Sequence, residues 1–270
     1  MPLLETHNLV MQFGGIRAVN DASIEVEPNR VAALIGPNGA GKTTTFNIIS
    51  GLQEPTSGTI RFDGQDITKL PVHERARLGI ARTFQRLEVF GSLSVYDNIR
   101  TALEIHRSWS GSRTPIRSRT DELLERVGVR DYADMPADSI PTGVARLTEL
   151  GRALATDPRL LLLDEPSSGL DEEETDEFGE LLLQLAEEGR SVLMVEHDVD
   201  LVFEYCEWVD VLDFGTIIAR GTAKEIQRNP VVQAAYLGEA TSDEVEQAAA
   251  KVHAEELAHA SADATGGEAG

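Results

Sequence analysis

The chain has a single cysteine, Cys206, among its 270 residues. One thiol excludes an internal disulfide and is typical of a protein that works in the reducing cytosol. The sequence also lacks any apolar run near the roughly 18 residues that a membrane span requires. Its longest hydrophobic runs, such as residues 160–163 and 192–195, have the length of a strand. We therefore expect no transmembrane segment.

Positive charge is also scarce, because 24 lysine and arginine residues face 46 acidic residues and the formal net charge is −22. This balance argues against a nucleic-acid partner, since phosphate contacts need clustered basic side chains. It also disfavours direct adsorption to an anionic membrane. Residues 241–270 carry seven acids and one lysine, so residues 1–240 still carry a net charge of −16. We interpret this general acidity as an adaptation for solubility or high salt.

The sequence does contain a glycine-rich stretch, GPNGAGKT at residues 36–43, directly after the apolar run of residues 31–35. Such a loop between a buried strand and a helix is typical of phosphate binding, because its backbone curls until successive N–H groups point at phosphate oxygens. Lys42 would reach the β- and γ-phosphates, Thr43 would ligate Mg²⁺, and the following helix would add its positive dipole. The residues predicted to contact the nucleotide are Gly36, Pro37, Asn38, Gly39, Ala40, Gly41, Lys42, Thr43 and Thr44. The chain is therefore predicted to bind a nucleoside triphosphate.

Two further buried runs end in groups that suit phosphate chemistry. The first, RLLLLDEP at residues 159–166, ends in Asp164 and Glu165. Adjacent strand residues point to opposite sides, so the two acids have different roles. Asp164 is predicted to hold Mg²⁺, and Glu165 to act as general base toward the attacking water. The second run is followed by His197, which could contact a γ-phosphate and couple to Glu165, although a histidine at a strand end is more often structural.

The order of the predicted elements indicates an α/β fold. Strands are predicted at residues 3–13, 22–26, 31–35, 59–62, 80–83, 160–164, 191–195, 208–212 and 216–219. Within residues 94–156 the spacing instead predicts helices at 94–105, 117–127 and 145–155, with a flexible connector at 108–114. This pattern predicts a helix-covered sheet with a helical insertion. Residues 241–270 are predicted to be a mostly disordered tail, or alternatively to include a partner-docking helix.

Taken in order, these motifs resemble those of the ATP-binding cassette (ABC) ATPases across roughly residues 3–238. GPNGAGKTT is similar to the Walker A motif, LLLLDEP to Walker B, ARTFQ to the Q-loop, SSGLD to the D-loop and VEHD to the H-switch. The resemblance implies a P-loop NTPase fold of the ABC cassette type: a RecA-like core, an N-terminal antiparallel β-subdomain and an α-helical subdomain. The cassette would span residues 1–240, with the helical subdomain inserted at about residues 87–157.

The resemblance also implies roles for residues that spacing alone does not assign. Gln85 would join Glu165 and His197 as a catalytic residue and would sense Mg²⁺ and the γ-phosphate. Phe13 stands where the family usually places an aromatic ring on adenine. Gly143 would contact a nucleotide in trans, because two cassettes pair head to tail and each ATP lies between one chain's Walker A and the other's signature loop.

Partners follow from the same resemblance. A second ABC ATPase subunit would close on ATP and open after hydrolysis, which would drive transmembrane permease subunits and, indirectly, an extracytoplasmic substrate-binding protein. The chain would then lie at the cytoplasmic face of the cell membrane. Phe90, Leu93 and Tyr96 are candidates for the permease-docking surface, and simple core packing is the alternative for all three.

Several segments are similar to the ATPases of branched-chain amino acid importers. These are FGGIRAVNDAS, GIARTFQ with LEVFGSLSVYDNI, and GTAKEIQRNPVVQAAYLGEA. LPVHERARLGI is also similar to the ATPases of lipopolysaccharide export. We favour the importer, with export as the alternative. Two other classes compete: a soluble ABC ATPase of DNA repair or translation, which the single cassette and the acidity oppose, and a regulatory nucleotide-binding subunit, which the intact Glu165 and His197 oppose.

The signature motif departs from the family pattern. Where the family has LSGGQ, this chain has IPTGV at residues 140–144, so only Gly143 is unaltered. The signature serine is replaced by Pro141, which has neither a hydroxyl nor an N–H. Two hypotheses follow. Either this chain pairs with a different cassette that has an intact signature, or IPTGV, with the hydroxyl of Thr142, serves as a variant signature in a homodimer.

Overall fold

The computed structural model describes residues 1–237. The tail predicted at residues 241–270 lies outside the described residues. Within residues 1–237, no helix has both the length and the hydropathy that crossing a membrane requires.

Eleven strands within residues 1–237 form two sheets. They are β1 (Leu4–Phe13), β2 (Ile16–Ala22), β3 (Glu25–Val26), β4 (Val31–Ile35), β5 (Ser57–Phe62), β6 (Gln65–Asp66), β7 (Ile80–Arg82), β8 (Leu160–Asp164), β9 (Ser191–Val195), β10 (Trp208–Asp213) and β11 (Thr216–Thr222). The antiparallel sheet has the order β2-β1-β5-β6, with β3 also paired to β1. The second sheet has the order β11-β10-β4-β9-β8-β7, and every pair in it is parallel except β10 with β11.

The prediction of one continuous strand at residues 22–26 is wrong in its bounds, because the range contains the end of β2 and all of β3. β2 ends at Ala22, and two residues outside any strand separate it from β3. The register between β1 and β2 shifts twice, between Leu9 and Val10 and between Met11 and Gln12. These shifts interrupt the alternation of buried and exposed residues, so the sequence of β2 carries little of the period-two signal that marks a strand.

Nine α-helices flank the sheets within the described residues. They are α1 (Lys42–Ser50), α2 (Val72–Arg77), α3 (Val95–Ser110), α4 (Ile116–Arg126), α5 (Thr142–Leu154), α6 (Glu172–Glu187), α7 (Val199–Tyr205), α8 (Ala223–Gln227) and α9 (Pro230–Leu237). Helices α3 to α5 follow β7 and precede β8, where the sequence predicts the helical insertion. α3 continues to Ser110, so the flexible connector predicted from residue 108 begins three residues too early.

The parallel sheet has a hydrophobic core on each face. All residues of β4, β8 and β9 are buried. Val31, Ala33 and Ile35 of β4 belong to one core, and Ala32 and Leu34 belong to the other. Strands covered on both faces are continuously apolar, which explains why these three strands are easily recognised as hydrophobic runs in the sequence. Their carboxyl ends meet at one edge of the sheet, the edge at which open α/β sheets bind ligands.

Arg75 fixes the C-terminal end of α1. Arg75 is 2% exposed, and its guanidinium donates to the carbonyl oxygens of Ile48 and Ile49, both at 2.7 Å, and of Leu70 and Thr68, both at 2.9 Å. Ile48 and Ile49 lie in the last turn of α1, whose carbonyls lack partners within the helix and favour a cation. Burial lowers the pKa of Arg75 to about 10, so the group remains charged at neutral pH.

Asp210 in β10 is a buried acid. It is 2% exposed, and its Oδ1 lies 3.6 Å from Arg220 Nε without a hydrogen-bond partner in the described part of the chain. Burial raises the pKa of Asp210 to about 7, Arg220 opposes this rise, and Glu25 adds to it.

This pKa predicts a pH-dependent stability. Between pH 3.8 and about 7 the folded chain keeps a proton on Asp210 that the unfolded chain releases. The free energy of unfolding should therefore fall as the pH rises through this window and level off above it, by no more than about 4 kcal/mol. Asp210→Asn should abolish this decrease in the free energy of unfolding between pH 5 and pH 8, as measured by urea unfolding. The control variant Asp131→Asn alters an exposed acid and should keep the decrease. An unchanged pH dependence in the Asp210 variant would contradict the raised pKa of Asp210.

Candidate nucleotide site

The glycine-rich loop connects β4 to α1 at the carboxyl edge of the parallel sheet. Lys42, the first residue of α1, is buried, and its Nζ donates to the carbonyl oxygens of Gly36 at 2.7 Å and Pro37 at 3.0 Å. Burial lowers the pKa of Lys42, while the carboxylates of Glu165 and Asp164 raise it. The ammonium group is therefore held against the loop, with both acids close enough to act on its charge.

Two glycines of the loop are required by close contacts as well as by curvature. A Cβ on Gly36 would lie 1.9 Å from the Leu212 carbonyl oxygen, and a Cβ on Gly41 would lie 2.3 Å from that of Ala18. Both residues have positive φ, 153° and 108°, which other residues rarely adopt. The loop is thus pressed between β10 and β2, so its shape is fixed by the surrounding strands.

A cleft of about 290 Å³ opens above the loop. Its lining residues are Ala18, Asn38, Gly39, Ala40, Gly41, Lys42, Thr43, Thr44, Gln85, Glu165 and His197. Most of the predicted nucleotide contacts are thus brought together with all three predicted catalytic residues. Gly36, Pro37 and Phe13 do not line it. Phe13 is 48% exposed and lies at the end of β1.

Glu165 links the other two predicted catalytic residues. Its Oε1 accepts a hydrogen bond from Gln85 Nε2 at 3.0 Å and lies 3.1 Å from His197 Nε2. Its backbone has a φ of 51°, in the left-handed region, and its N–H donates to the Val195 carbonyl at 2.8 Å. Strained backbone of this kind is maintained only where the surrounding structure enforces it, and it concentrates at functional sites.

Asp164 lies at the end of β8 and pairs with Arg82, which the sequence patterns did not reveal. Arg82 Nη2 donates to its Oδ2 at 3.0 Å, and both side chains are almost completely buried. Burial raises the pKa of Asp164 and Arg82 lowers it. Arg82 also donates to Asn47 and Ser50 of α1, which ties the two elements together. The sequence feature that could have identified Arg82 is its position at the end of a short buried strand.

Glu196 is a second residue of the site that the sequence patterns did not reveal. Its Oε1 accepts from the Ser167 N–H at 2.8 Å, and its Oε2 accepts from the His197 N–H at 3.1 Å. Glu196 is 3% exposed, and burial raises its pKa. The side chain therefore joins the segments that follow β8 and β9, and it positions His197 next to Glu165. The sequence feature that could have identified Glu196 is its position in VEHD, directly after a buried strand.

Comparison with known proteins identifies the family. A family model described as ABC transporter matches residues 19–168, more than half of the chain. The high-affinity branched-chain amino acid transport ATP-binding protein BraF of Pseudomonas aeruginosa is 39% identical over 252 residues, which cover 88% of this chain and 99% of that protein. The chain belongs to the ABC transporter ATP-binding proteins.

Further matches agree with this family. A model described as Branched-chain amino acid ATP-binding cassette transporter matches residues 216–241. The lipopolysaccharide export system ATP-binding protein LptB of Escherichia coli is 37% identical over 88% of this chain and 98% of its own length. A solved structure of a nucleotide-free ATP-binding cassette from an ABC transporter has a TM-score of 0.79 at 30% identity, covering 87% of this chain and 99% of that one.

The predicted family and the ABC cassette fold are thereby confirmed, and the chain is an ATPase that binds ATP. The specific roles predicted for individual site residues stay predictions.

The signature segment of this ABC ATPase begins α5. Pro141 is the N-cap and provides no side-chain hydrogen bond to the helix. Pro141 and Thr142 are exposed, whereas Gly143 and Val144 are buried. A Cβ on Gly143 would lie 2.8 Å from the Gly169 carbonyl oxygen, so this glycine allows α5 to approach the D-loop. Thr142 is therefore the exposed hydroxyl of the segment.

α5 is also bound to the Q-loop of the same chain. Arg146 donates to the carbonyl oxygen of Phe84 at 2.6 Å and to that of Gln85. Glu149 accepts from the Glu88 N–H at 2.6 Å. Charged side chains on the signature helix thus hold the backbone on both sides of Gln85.

The three candidates for permease docking differ in exposure. Phe90 is 44% exposed, and the guanidinium of Arg152 lies 4.4 Å from the centre of its ring. Leu93 is half-buried. Tyr96 is half-buried and packs against the larger core. Phe90 is therefore the candidate most available to a partner in this ABC ATPase.

Proposed function

We propose that this chain energises uptake of branched-chain amino acids through separate permease subunits, at the cytoplasmic face of the cell membrane. The observation that carries this proposal is the match of residues 216–241 to a model of branched-chain amino acid cassettes. The similarity to BraF over nearly the whole of both chains supports it. In the same proposal the ATPase cassette spans residues 1–240, with a helical subdomain inserted at about 87–157.

The cleft geometry supports specific contacts to ATP. The backbone N–H groups of residues 38–44 and the Lys42 ammonium would hold the phosphates. Phe13, exposed at the end of β1, would stack on adenine.

A magnesium ion fits the same geometry. Asp164 Oδ1 is buried without a hydrogen-bond partner in residues 1–237, and Thr43 presents an exposed hydroxyl to the cleft. No group of three His, Cys, Asp or Glu suited to a metal occurs in the described residues, as expected for Mg²⁺ held by one carboxylate and substrate phosphates. Asp164, Thr43 and Gln85 would hold the ion, which would neutralise phosphate charge.

Glu165 would serve as the general base for hydrolysis. Its Oε1 is engaged by Gln85 and His197, which fixes the carboxylate and leaves Oε2 for the attacking water. His197, positioned by Glu196, would also face the γ-phosphate. Gln85 and His197 would act by position and Glu165 by accepting a proton, while positioning and electrostatic stabilisation supply most of the rate of phosphoryl transfer.

A second ABC ATPase subunit would complete the site. The exposed segment at residues 141–142 would face the partner's nucleotide, with Gly143 close to it. Because Pro141 lacks a hydroxyl and an N–H, we propose pairing with a different cassette that has an intact signature. The site formed by this chain's Lys42 and Glu165 would then hydrolyse ATP, and the opposite site would be weak.

Pro141→Ser tests this asymmetry. A serine at the N-cap of α5 would restore a hydrogen-bond donor toward the partner's γ-phosphate. We expect the rate of hydrolysis at the weak site to rise about tenfold. This gain is smaller than the loss of rate that usually follows when such a donor is removed. The measurement is single-turnover ATP hydrolysis in the assembled transporter. Ser139→Ala, two residues earlier and exposed, is the control. An unchanged rate would mean that the loop is not defective.

Reconstitution tests the proposed transport. The chain is assembled in proteoliposomes with the permeases, the second cassette and the binding protein that the proposal requires. We expect ATP-dependent accumulation of radiolabelled leucine, isoleucine or valine. ATP-dependent extraction of lipopolysaccharide without amino acid uptake would support the export alternative instead, for which the similarity to LptB is the specific observation.

A further inference from the structure

A second cavity, of about 180 Å³, lies at the amino ends of strands whose carboxyl ends carry the nucleotide cleft. Trp208, the first residue of β10, and Ala32, near the beginning of β4, both line it and are neighbours across these two parallel strands. The charged and aromatic residues of the lining are Glu25, Glu27, Arg30, Trp208, Asp210 and Arg220. The volume has room for roughly six waters, or for an organic molecule of similar size.

Asp210 gives this cavity an unsatisfied acid. The residue is 2% exposed and lines the cavity, and its Oδ1 has no hydrogen-bond partner among residues 1–237. Arg220 lies opposite it on β11, but its Nε stays 3.6 Å from Oδ1, and its Nη2 donates to the Ser23 carbonyl oxygen at 2.6 Å. A buried carboxylate without a donor is costly in free energy, and a bound donor would remove that cost.

The charge that remains unpaired in the lining is negative. Glu25 and Glu27 are exposed and form no ion pair with the part of the chain that the structure describes. Glu25 is close enough to Asp210 to raise the pKa of that buried acid further. Arg30, the second arginine of the lining, already pairs with Glu207. The lining therefore favours a ligand that carries positive charge.

The composition of the walls favours an organic cation over a metal ion. Within residues 1–237, no group of three His, Cys, Asp or Glu is suited to a metal. Trp208 instead contributes an indole that is 39% exposed. Aromatic faces attract ammonium groups and also cover alkyl chains. An ammonium group on a short alkyl chain can donate hydrogen bonds to Asp210 and contact Trp208 at the same time.

We propose that Glu25, Glu27, Trp208 and Asp210 form a site, which we name the amine site, for a small aliphatic amine in its ammonium form. The ammonium group donates to Asp210 and is attracted by the two glutamates, and the alkyl chain lies against Trp208. A neutral or anionic molecule of the same size leaves the three acids without a counter-charge. This binding goes beyond the proposed function, because it requires neither ATP nor another subunit.

Calorimetric titration of the full-length chain with three matched probes tests the proposal. Butylammonium, butanol and butyrate have chains of similar length and differ in charge, and they are compared at pH 8 and constant ionic strength. Butylammonium should bind. Butanol and butyrate should bind at least about tenfold more weakly, because neither forms a charged hydrogen bond with a carboxylate.

Substitutions locate the ammonium group. Asp210→Asn should weaken butylammonium binding about tenfold to 100-fold, since the amide removes the charged acceptor. The double variant Glu25→Gln, Glu27→Gln alters only exposed residues and should weaken binding about fivefold. The control variant Asp131→Asn has the same net charge as Asp210→Asn, alters an exposed acid outside the lining and should bind like the original chain.

The pH dependence of binding distinguishes contact with Asp210 from a merely structural effect. The pKa of Asp210 is raised to about 7, so its carboxylate is protonated at pH 5 and ionised at pH 8. An alkylammonium, like the lysine side chain, stays charged at both values. Butylammonium should therefore bind at least about tenfold more weakly at pH 5 than at pH 8. Asp210→Asn should lose this difference.

Tryptophan fluorescence reports whether the ligand lies in the amine site. The sequence has two tryptophans, so Trp109→Phe leaves Trp208 as the only indole. Its emission should change over the range of butylammonium concentration in which calorimetry detects binding.

Four results would overturn the proposal. These are equal binding of butanol or butyrate, unchanged affinity in Asp210→Asn, equal weakening in Asp131→Asn, or an emission of Trp208 that butylammonium leaves unaltered. Preferential binding of butyrate would identify an anion site at the two arginines instead. If Asp210→Asn does not fold, unchanged affinity in the double glutamate variant would decide against the amine site.

Discussion

Glu165→Gln should lower ATP turnover by about two to four orders of magnitude while ATP binding is retained. Glutamine has nearly the shape of glutamate and keeps an oxygen for Gln85 and His197, which contact Oε1 at 3.0 and 3.1 Å. It cannot accept the proton of the attacking water. The loop and Lys42 are unchanged, so the phosphates should still bind. Turnover is measured as phosphate release by the assembled transporter, and binding by equilibrium titration with a fluorescent ATP analogue.

Glu173→Gln is the matched control for this variant. Glu173 is an exposed acid in the first turn of α6, eight residues along the chain, and its loss changes the net charge equally. We expect near-normal turnover from the control. Near-normal turnover from Glu165→Gln as well would show that another group takes the proton, and loss of ATP binding would show that Glu165 shapes the phosphate site instead.

Arg75→Met should reduce the free energy of unfolding by about 4 kcal/mol, one of the larger effects that a single substitution produces. Methionine can occupy the channel of the arginine stem but donates no hydrogen bond. The carbonyls of Ile48, Ile49, Leu70 and Thr68 would then lose a charged donor within a buried region.

Chemical unfolding monitored by circular dichroism measures this effect. Arg77→Met, on the same helix but exposed, is the control and should change the free energy of unfolding by less than about 0.5 kcal/mol. Equal, small changes in both variants would mean that water replaces the guanidinium at the end of α1.

The most buried elements of the fold could be predicted from sequence almost residue for residue. β4, β8 and β9 occupy residues 31–35, 160–164 and 191–195 as predicted, because runs covered on both faces are apolar throughout. β2 was missed, since shifts in its pairing with β1 remove the alternation. α8 and α9 were missed too, although Thr222 and Glu225 form a capping box at α8 that the sequence displays.

The candidate site was predictable where its groups follow buried strands. Glu165 and His197 were placed together from such positions, and they lie 3.1 Å apart. Arg82 was not foreseen, because its partner Asp164 is 82 residues away and only the pairing of β7 with β8 brings them into contact. Long-range ion pairs depend on strand order, which no local pattern encodes.

The bonds from Arg146 give α5 a mechanical connection to the catalytic cleft. Arg146 holds the carbonyls of Phe84 and Gln85, and the Gln85 side chain donates to Glu165. A rotation of α5 as a rigid rod must therefore pull Gln85 along or break two charge-assisted hydrogen bonds. Such a movement would act on the Gln85–Glu165 hydrogen bond, 3.0 Å long, and loss of that bond would leave Glu165 Oε1 in contact with His197 but not Gln85.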